Sequence, residues 1–262
     1  DSGTARAYAA SLGAGAGAPV WDDDDWDAKV ELLVRRPPPL VSFTFGCPPA
    51  GLVAALHDKE AVVVVTVTTP EEAAIAAAGG AGCLCVQGFE AGAHRGSFTN
   101  DDRPDQDWGL LALLGEVSRV TDLPLIAAGG IAGPRGVAAV LAAGADAAQA
   151  GTVFLRCPES GAHPVHQAAL ADPRFRVTAV TRAFSGRRAR GLVNRFMLDH
   201  PSAPCAYPEI NNATRGLRSA AAARGDAQEM SLWAGQAFRG ASEHPAGEIV
   251  ERLAAGASTR TP

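Results

Sequence analysis

Lysine is nearly absent from this chain. Of its 23 basic residues only Lys29 and Lys59 are lysine, while Ala reaches 54 of 262 residues, a bias expected of a high-GC bacterial genome. No run of 18 apolar residues occurs, so no transmembrane helix is predicted. No basic start leads into an apolar run, so no signal peptide is read. Basic residues are not massed in one block and the net charge is −5, which excludes a nucleic-acid protein. Glycine is plentiful, 29 residues, but without the triplet period of collagen. The five cysteines (Cys47, Cys83, Cys85, Cys157, Cys205) are scattered and mostly in apolar context, which predicts reduced thiols and a cytoplasmic protein.

What is present is an alternation of apolar strands and helices. Residues 1–39 form a lead, with a Gly/Ala stretch at 13–19 and a short helix at 28–35. The acidic run Asp22–Asp25 before that helix is read as a solvated capping run rather than a cation site, because no second ligand group is visible. Pro37–Pro39 stop the helix. Five strands are then predicted, at 40–46, 61–67, 83–87, 125–128 and 147–150, the last with 153–155 beyond it. The second is apolar on both faces, as a buried parallel strand requires. Helices at 69–79, 108–120 and 134–143 separate them. The first of these carries Thr69 as cap, Pro70 at the first helical position and Glu72 to complete a capping box. Alternation of this kind predicts parallel βαβ units, in a doubly wound sheet or a barrel. From residue 161 onward the pattern turns helical, with helices at 164–171, 228–238 and 247–255, and reads as a helical C-terminal segment or lid.

Three strand ends carry chemistry, all at carboxyl ends, where parallel α/β folds place their sites. Val86–Gly96 runs from a strand into a glycine-spaced loop bearing Gln87, Glu90, His94 and Arg95. Gln87 both donates and accepts, which suits a flavin or nucleobase edge, and His94 titrates near neutrality and can accept a proton. The second is Ala127–Arg135, where Gly129 and Gly130 precede a helix and leave backbone N–H groups open to a phosphate. The third, Gly144–Thr152, again ends in glycine and a hydroxyl. Two successive glycine-rich ends late in the chain match the phosphate site of a barrel and predict a phosphate-bearing cofactor.

Other candidates read as structural. Arg187, Arg188 and Arg190 are expected on a solvated face or in intrachain pairs, Trp233 and Gln236 on one face of a helix, and Cys83 with Cys85 in the packing of one sheet face. His163 and His166 lie three apart on a helix, but without a carboxylate or cysteine partner in reach no metal site is predicted.

In order, the words QGFEAGAHRG (87–96), AAGGIAGPRG (127–136), GADAAQAGTVFL (144–155) with Glu159-Ser160 following, FSGRRARGLVNRF (184–196) and WAGQ (233–236) resemble the flavin-dependent nitronate monooxygenases, formerly called 2-nitropropane dioxygenases. The resemblance covers residues 40–236 and implies an α/β fold of the (β/α)8 TIM-barrel type with non-covalently bound FMN. It implies flavin contacts from Gln87 and Gly92, and phosphate contacts from Gly129, Gly130, Gln149, Ala150, Gly151 and Thr152. His94 matches the catalytic histidine; Ala93 stands where family members usually have glycine. The implied reaction is oxidation of an alkyl nitronate or nitroalkane by O2 to a carbonyl compound and nitrite. Early family words of the APM and AGGLG kind have no counterpart here, so the chain is expected to supply barrel strands four to eight only, in residues 40–160. Five strands do not close an eight-strand barrel, and the chain alone is expected to bind FMN weakly or not at all. Two other readings stay open: a flavin-dependent enoyl-acyl carrier protein reductase using NAD(P)H, and a non-catalytic flavin- or phosphate-binding module.

Overall fold

The computed structural model describes residues 2–101 and 107–257. In chain order its elements are α1 (Ser2–Ser11), α2 (Trp26–Arg35), β1 (Leu40–Phe43), α3 (Ala50–His57), β2 (Val62–Val67), α4 (Pro70–Ala78), β3 (Cys83–Gln87), β4 (Ala93–His94), α5 (Leu110–Val117), β5 (Leu125–Ala128), α6 (Pro134–Ala142), β6 (Ala147–Gln149), α7 (Pro164–Ala171), β7 (Thr178–Thr181), β8 (Ala189–Leu192), α8 (Arg195–Asp199), α9 (Glu209–Ala223) and α10 (Ala246–Ala254). The chain divides into two compact units. One holds Asp24–Ala91, Gly96–Ala150 and the chain from Val250; the other holds the chain up to Asp23, Gly92–Arg95 and Gly151–Ile249.

The first unit is a five-stranded parallel sheet in the order β1-β2-β3-β5-β6. Strands alternate in where their side chains go. Val41, Phe43, Val63, Val65, Val67, Leu84, Val86, Leu125 and Ala127 pack with Val53, Leu56, Leu113, Leu114, Val137 and Val140 of the crossover helices. The opposite face carries Val64, Cys83, Cys85 and Ala128, so Cys83 and Cys85 do share a packed face.

The predicted strands are all present, with differences at their ends. β1 stops at Phe43 because Phe45 (φ 74°) and Gly46 (φ 143°) turn the backbone left-handed. Residues 153–155, expected to continue beyond the fifth strand, do not: Thr152–Phe154 form a short 3₁₀ turn with Leu155 as its cap. In α4 the Thr69 hydroxyl accepts the Glu72 N–H at 3.1 Å, as the capping box predicts. The Glu72 carboxylate departs from that motif: it accepts from the N–H and hydroxyl of Thr68 and from the Phe98 N–H. Asp25, expected within a capping run, precedes α2 at φ 55° and makes no side-chain cap.

In the second unit β4-β8-β7 form an antiparallel sheet. The remaining regular elements after residue 160, α7, α8, α9 and α10, are helical as expected. Residues 228–238, expected as a helix, are not one: Leu192 N–H bonds the Leu232 carbonyl at 2.9 Å, and Gly191 bridges Trp233. Met230, Leu232 and Ala234 are buried while Ser231 and Trp233 are partly exposed, the period of an extended segment against a sheet edge. The lead is more ordered than its pattern implies, since α1 packs against α9 with Ala5 fully buried.

Candidate functional site

In the parallel unit, three strand ends come together. Gln87 of β3 is in register with Ala128 of β5, and Ala128 with Gln149 of β6, so Gln87, Gly129 and Gln149 lie at the same, carboxyl, end of neighbouring strands. Gly129 (φ 114°) and Gly130 (φ 70°) take conformations that strain any residue with a Cβ. They do so against the 90–91 segment: a methyl on Gly129 would stand 3.0 Å from Ala91 N, and one on Gly130 3.1 Å from Glu90 Cβ. Glu90 in turn accepts the Leu110 N–H through both carboxylate oxygens at 3.0 Å each, which starts α5 where its own cap, Gly109, offers no side chain. Gln87 Oε1 accepts the Gly96 N–H at 2.8 Å and so ties the loop after His94 to the end of β3. Gly130 and Gln149 are exposed, and Ala150 follows half-buried. Bare backbone at these ends, with a left-handed Gly-Gly turn and a neighbouring amide, fits the phosphate and polar edge of a flavin nucleotide.

In the second unit, Gly92, His94 and Thr152 gather around residues 233–235. A methyl on Gly92 would fall on the backbone of Ala234–Gly235, and the Thr152 hydroxyl accepts the Gly235 N–H at 3.0 Å. Gly151 is exposed, with open space where a Cβ would be. His94 sits on β4, opposite Ala189 of β8. Its Nε2 is 2.8 Å from Ser185 Oγ, and its ring meets Tyr207 edge-on at 5.4 Å and Trp233 at 5.7 Å. Burial, reinforced by the guanidinium groups of Arg187 and Arg218, lowers its pKa to about 4. The imidazole is therefore neutral at pH 7 and able to accept a proton.

Several expectations change here. Of the two readings expected for Arg187 and Arg190, a solvated face or intrachain pairs, the structure shows the second: they are 7% and 2% exposed. Their guanidiniums are used internally: Arg187 Nε donates to the Arg95 carbonyl at 3.3 Å, and Arg190 Nη1 to Thr178 Oγ1 at 3.2 Å. Trp233 and Gln236 share no helical face, because the segment is extended; Trp233 turns toward His94 and Gln236 is exposed. His163 caps α7, its Nδ1 accepting from the Val165 N–H at 3.3 Å, and no metal-holding cluster occurs among the described residues. Sequence reasoning missed Ser185, Tyr207 and Arg218 as neighbours of His94. Ser185 lay inside a quoted word; Tyr207 and Arg218 had no signal beyond their proximity to it after folding.

With this geometry in hand, the chain belongs to the nitronate monooxygenase family, whose model matches residues 4–256. It is 45% identical over 226 residues to a nitronate monooxygenase of Pseudomonas aeruginosa, a match covering 85% of this chain and 64% of that protein. Among solved structures it is similar to nitroalkane oxidase from Streptomyces ansochromogenes, at 48% identity and TM-score 0.93, over 98% of this chain and 77% of the other. It is also similar to FabK from Thermotoga maritima, at 28% identity and TM-score 0.71, over 89% and 73%. The chain thus spans about two thirds, 64%, of the length of its curated Pseudomonas relative.

Proposed function

We propose that the protein oxidises alkyl nitronates with O2 to a carbonyl compound and nitrite, with FMN as cofactor and His94 as base. The observation that carries this reading is His94: a half-buried, neutral imidazole beside the Ser185 hydroxyl, whose protonation burial and the charges of Arg187 and Arg218 oppose. A neutral imidazole can take the α-proton of a nitroalkane, and the positive charge of Arg187 and Arg218 favours the nitronate anion so formed. A nitronate supplied as the anion needs no proton removal, so His94 matters most for the neutral substrate. The same two cations oppose protonation of His94, which keeps it unprotonated down to mildly acid pH.

Gln87, Gly129, Gly130, Gln149 and Ala150 are the residues of the parallel unit that would hold FMN; Gly92, Gly151 and Thr152 are proposed as contacts on the family resemblance alone. FMN supplies the electron transfer from nitronate to O2 when bound; the protein orients and shields. Scattered cysteines, three of them buried, are the usage expected of a reducing cytoplasmic setting.

The test is nitrite release from ethylnitronate or propionate-3-nitronate with added FMN and no NAD(P)H. Nitrite formation, and its loss on nitroethane in His94→Ala, is the expected result. Consumption of NAD(P)H without nitrite would favour the enoyl-acyl carrier protein reductase reading, to which the weaker FabK likeness belongs. Flavin uptake without turnover of either substrate class would leave a binding module.

A further inference from the structure

The geometry points to Arg218 as the residue that binds the nitronate group of the substrate, through the two N–H groups of its Nη1. The inference rests on the proposed oxidation of nitronates and adds to it a residue that selects the anion. Arg218 stands on α9 and is half-buried. A guanidinium has five N–H donors and no acceptor. Those of Nε and Nη2 are spent on neutral groups. Nε donates to Thr214 Oγ1 at 3.2 Å, and Nη2 to the backbone and side-chain oxygens of Asn211 at 2.9 and 3.0 Å. Among the described residues Nη1 meets no acceptor, and it is not sealed from solvent. No carboxylate pairs with Arg218 there either; burial and the like charge of Arg215 both oppose its charge. A cation drawn partly out of water without a counter-charge is costly to keep. An anion at Nη1 supplies that counter-charge.

Two routes lead from this side chain to His94. The Thr214 hydroxyl that holds Nε is fully buried and donates to the Phe184 carbonyl. The next residue is Ser185, whose Oγ is 2.8 Å from His94 Nε2. Along α9, Asn211, Thr214 and Arg218 are three and four apart and share one helix face. Tyr207, four residues before Asn211, meets the His94 ring edge-on at 5.4 Å. Arg187, the other cation felt at His94, is 7% exposed, so Arg218 is the more accessible of the two. A nitronate spreads its charge over two oxygens in one plane, the shape of a carboxylate, which a guanidinium matches better than an ammonium does. A neutral nitroalkane brings no net charge. Arg218 thus favours the anion in binding, while His94 acts on the neutral form.

Nitrate, a planar oxyanion, tests the contact in the full chain without flavin or substrate. With 15N-labelled histidine, the ring signals of His94, assigned by their loss in His94→Gln, should move saturably as nitrate replaces chloride at constant ionic strength. Arg218→Gln should weaken nitrate about tenfold or more, and Arg218→Lys, which keeps the charge but not the planar fork, should fall between. Arg174→Gln, at an exposed arginine paired with Asp172, is the control and should stay within about twofold. No saturable movement in the unaltered chain, or nitrate bound as tightly by either Arg218 variant, overturns the inference. Should Arg218→Gln fail to fold, the unaltered chain and Arg218→Lys still decide it. With FMN added, Arg218→Gln should raise KM for ethylnitronate about tenfold or more and change KM for nitroethane less than about threefold. Equal changes on both substrates would mean a structural role and also overturn it. If the unaltered chain releases no nitrite, the proposed reaction fails while the nitrate titration still reads the contact.

Discussion

The carboxylate of Glu72 reaches from α4 to the Phe98 backbone N–H, 2.7 Å away and 26 positions along the chain. Its other oxygen accepts from the Thr68 N–H at 2.6 Å and the Thr68 hydroxyl at 2.9 Å. One buried side chain thus anchors the loop that follows His94. Glu72→Ala strands two backbone donors in the interior and should lower unfolding free energy by about 2–4 kcal/mol in urea titrations. Glu72→Gln, which keeps one acceptor, should fall between.

Protonation of His94 should couple to stability. Its folded pKa of about 4 lies below its unfolded value of 6.5, so the unfolded chain binds the proton more tightly. Stability from this group is therefore fully present above pH 6.5 and is lost as pH falls toward 4, by up to about 3 kcal/mol. His166, also lowered chiefly by burial, adds in the same direction. Urea midpoints at pH 7 and pH 5 measure the effect, and His94→Gln should flatten part of the slope. A midpoint that rises on acidification would contradict the assignment.

Ala93 holds φ 63°, a left-handed conformation that costs a residue with a Cβ about 1 kcal/mol. Ala93→Gly should release that strain and stabilise the protein by roughly 0.5–1 kcal/mol, the larger entropy of the unfolded glycine offsetting part of the gain. Ala93→Val, β-branched at the same angle, should cost more than 1 kcal/mol. Thermal unfolding of both variants distinguishes strain here from a position that tolerates any small residue.

Gly92→Ala should be among the more damaging single changes, because its methyl would overlap the backbone of Ala234–Gly235 rather than a movable side chain. A loss of about 2 kcal/mol or more is expected, together with release of Thr152 from the Gly235 N–H. Gly133→Ala, with nothing near its would-be Cβ, is the matched control and should be close to neutral.

The parallel sheet was legible because each strand is a short apolar run punctuated by glycine or proline, and Thr69-Pro70 announces the helix that follows. Strand lengths were misjudged where backbone conformation rather than composition ends them, as at Phe45. The antiparallel sheet was hidden by its arginines. Arg187 and Arg190 read as a solvated face or as intrachain pairs, and the groups that meet their donors are carbonyls and hydroxyls that only the folded chain brings near. In residues 230–234 the buried positions are Met230, Leu232 and Ala234, a period of two that fits an extended segment rather than the helix expected at 228–238. His94 was legible as a chemical residue from its glycine-spaced loop. Its neighbours Ser185, Tyr207 and Arg218 were not, being 91 or more positions away. The start of α5 depends in the same way on Glu90, whose capping role no local pattern reveals.

Of the five cysteines, Cys205 is the exposed one, while the others are buried or half-buried. It stands two residues before Tyr207, the ring that meets His94 edge-on. A maleimide dye at neutral pH therefore has a preferred attachment point, and the protein comes with its own place for a fluorescent reporter two residues from Tyr207. Occupancy of that neighbourhood becomes something to be followed optically, with no engineered thiol.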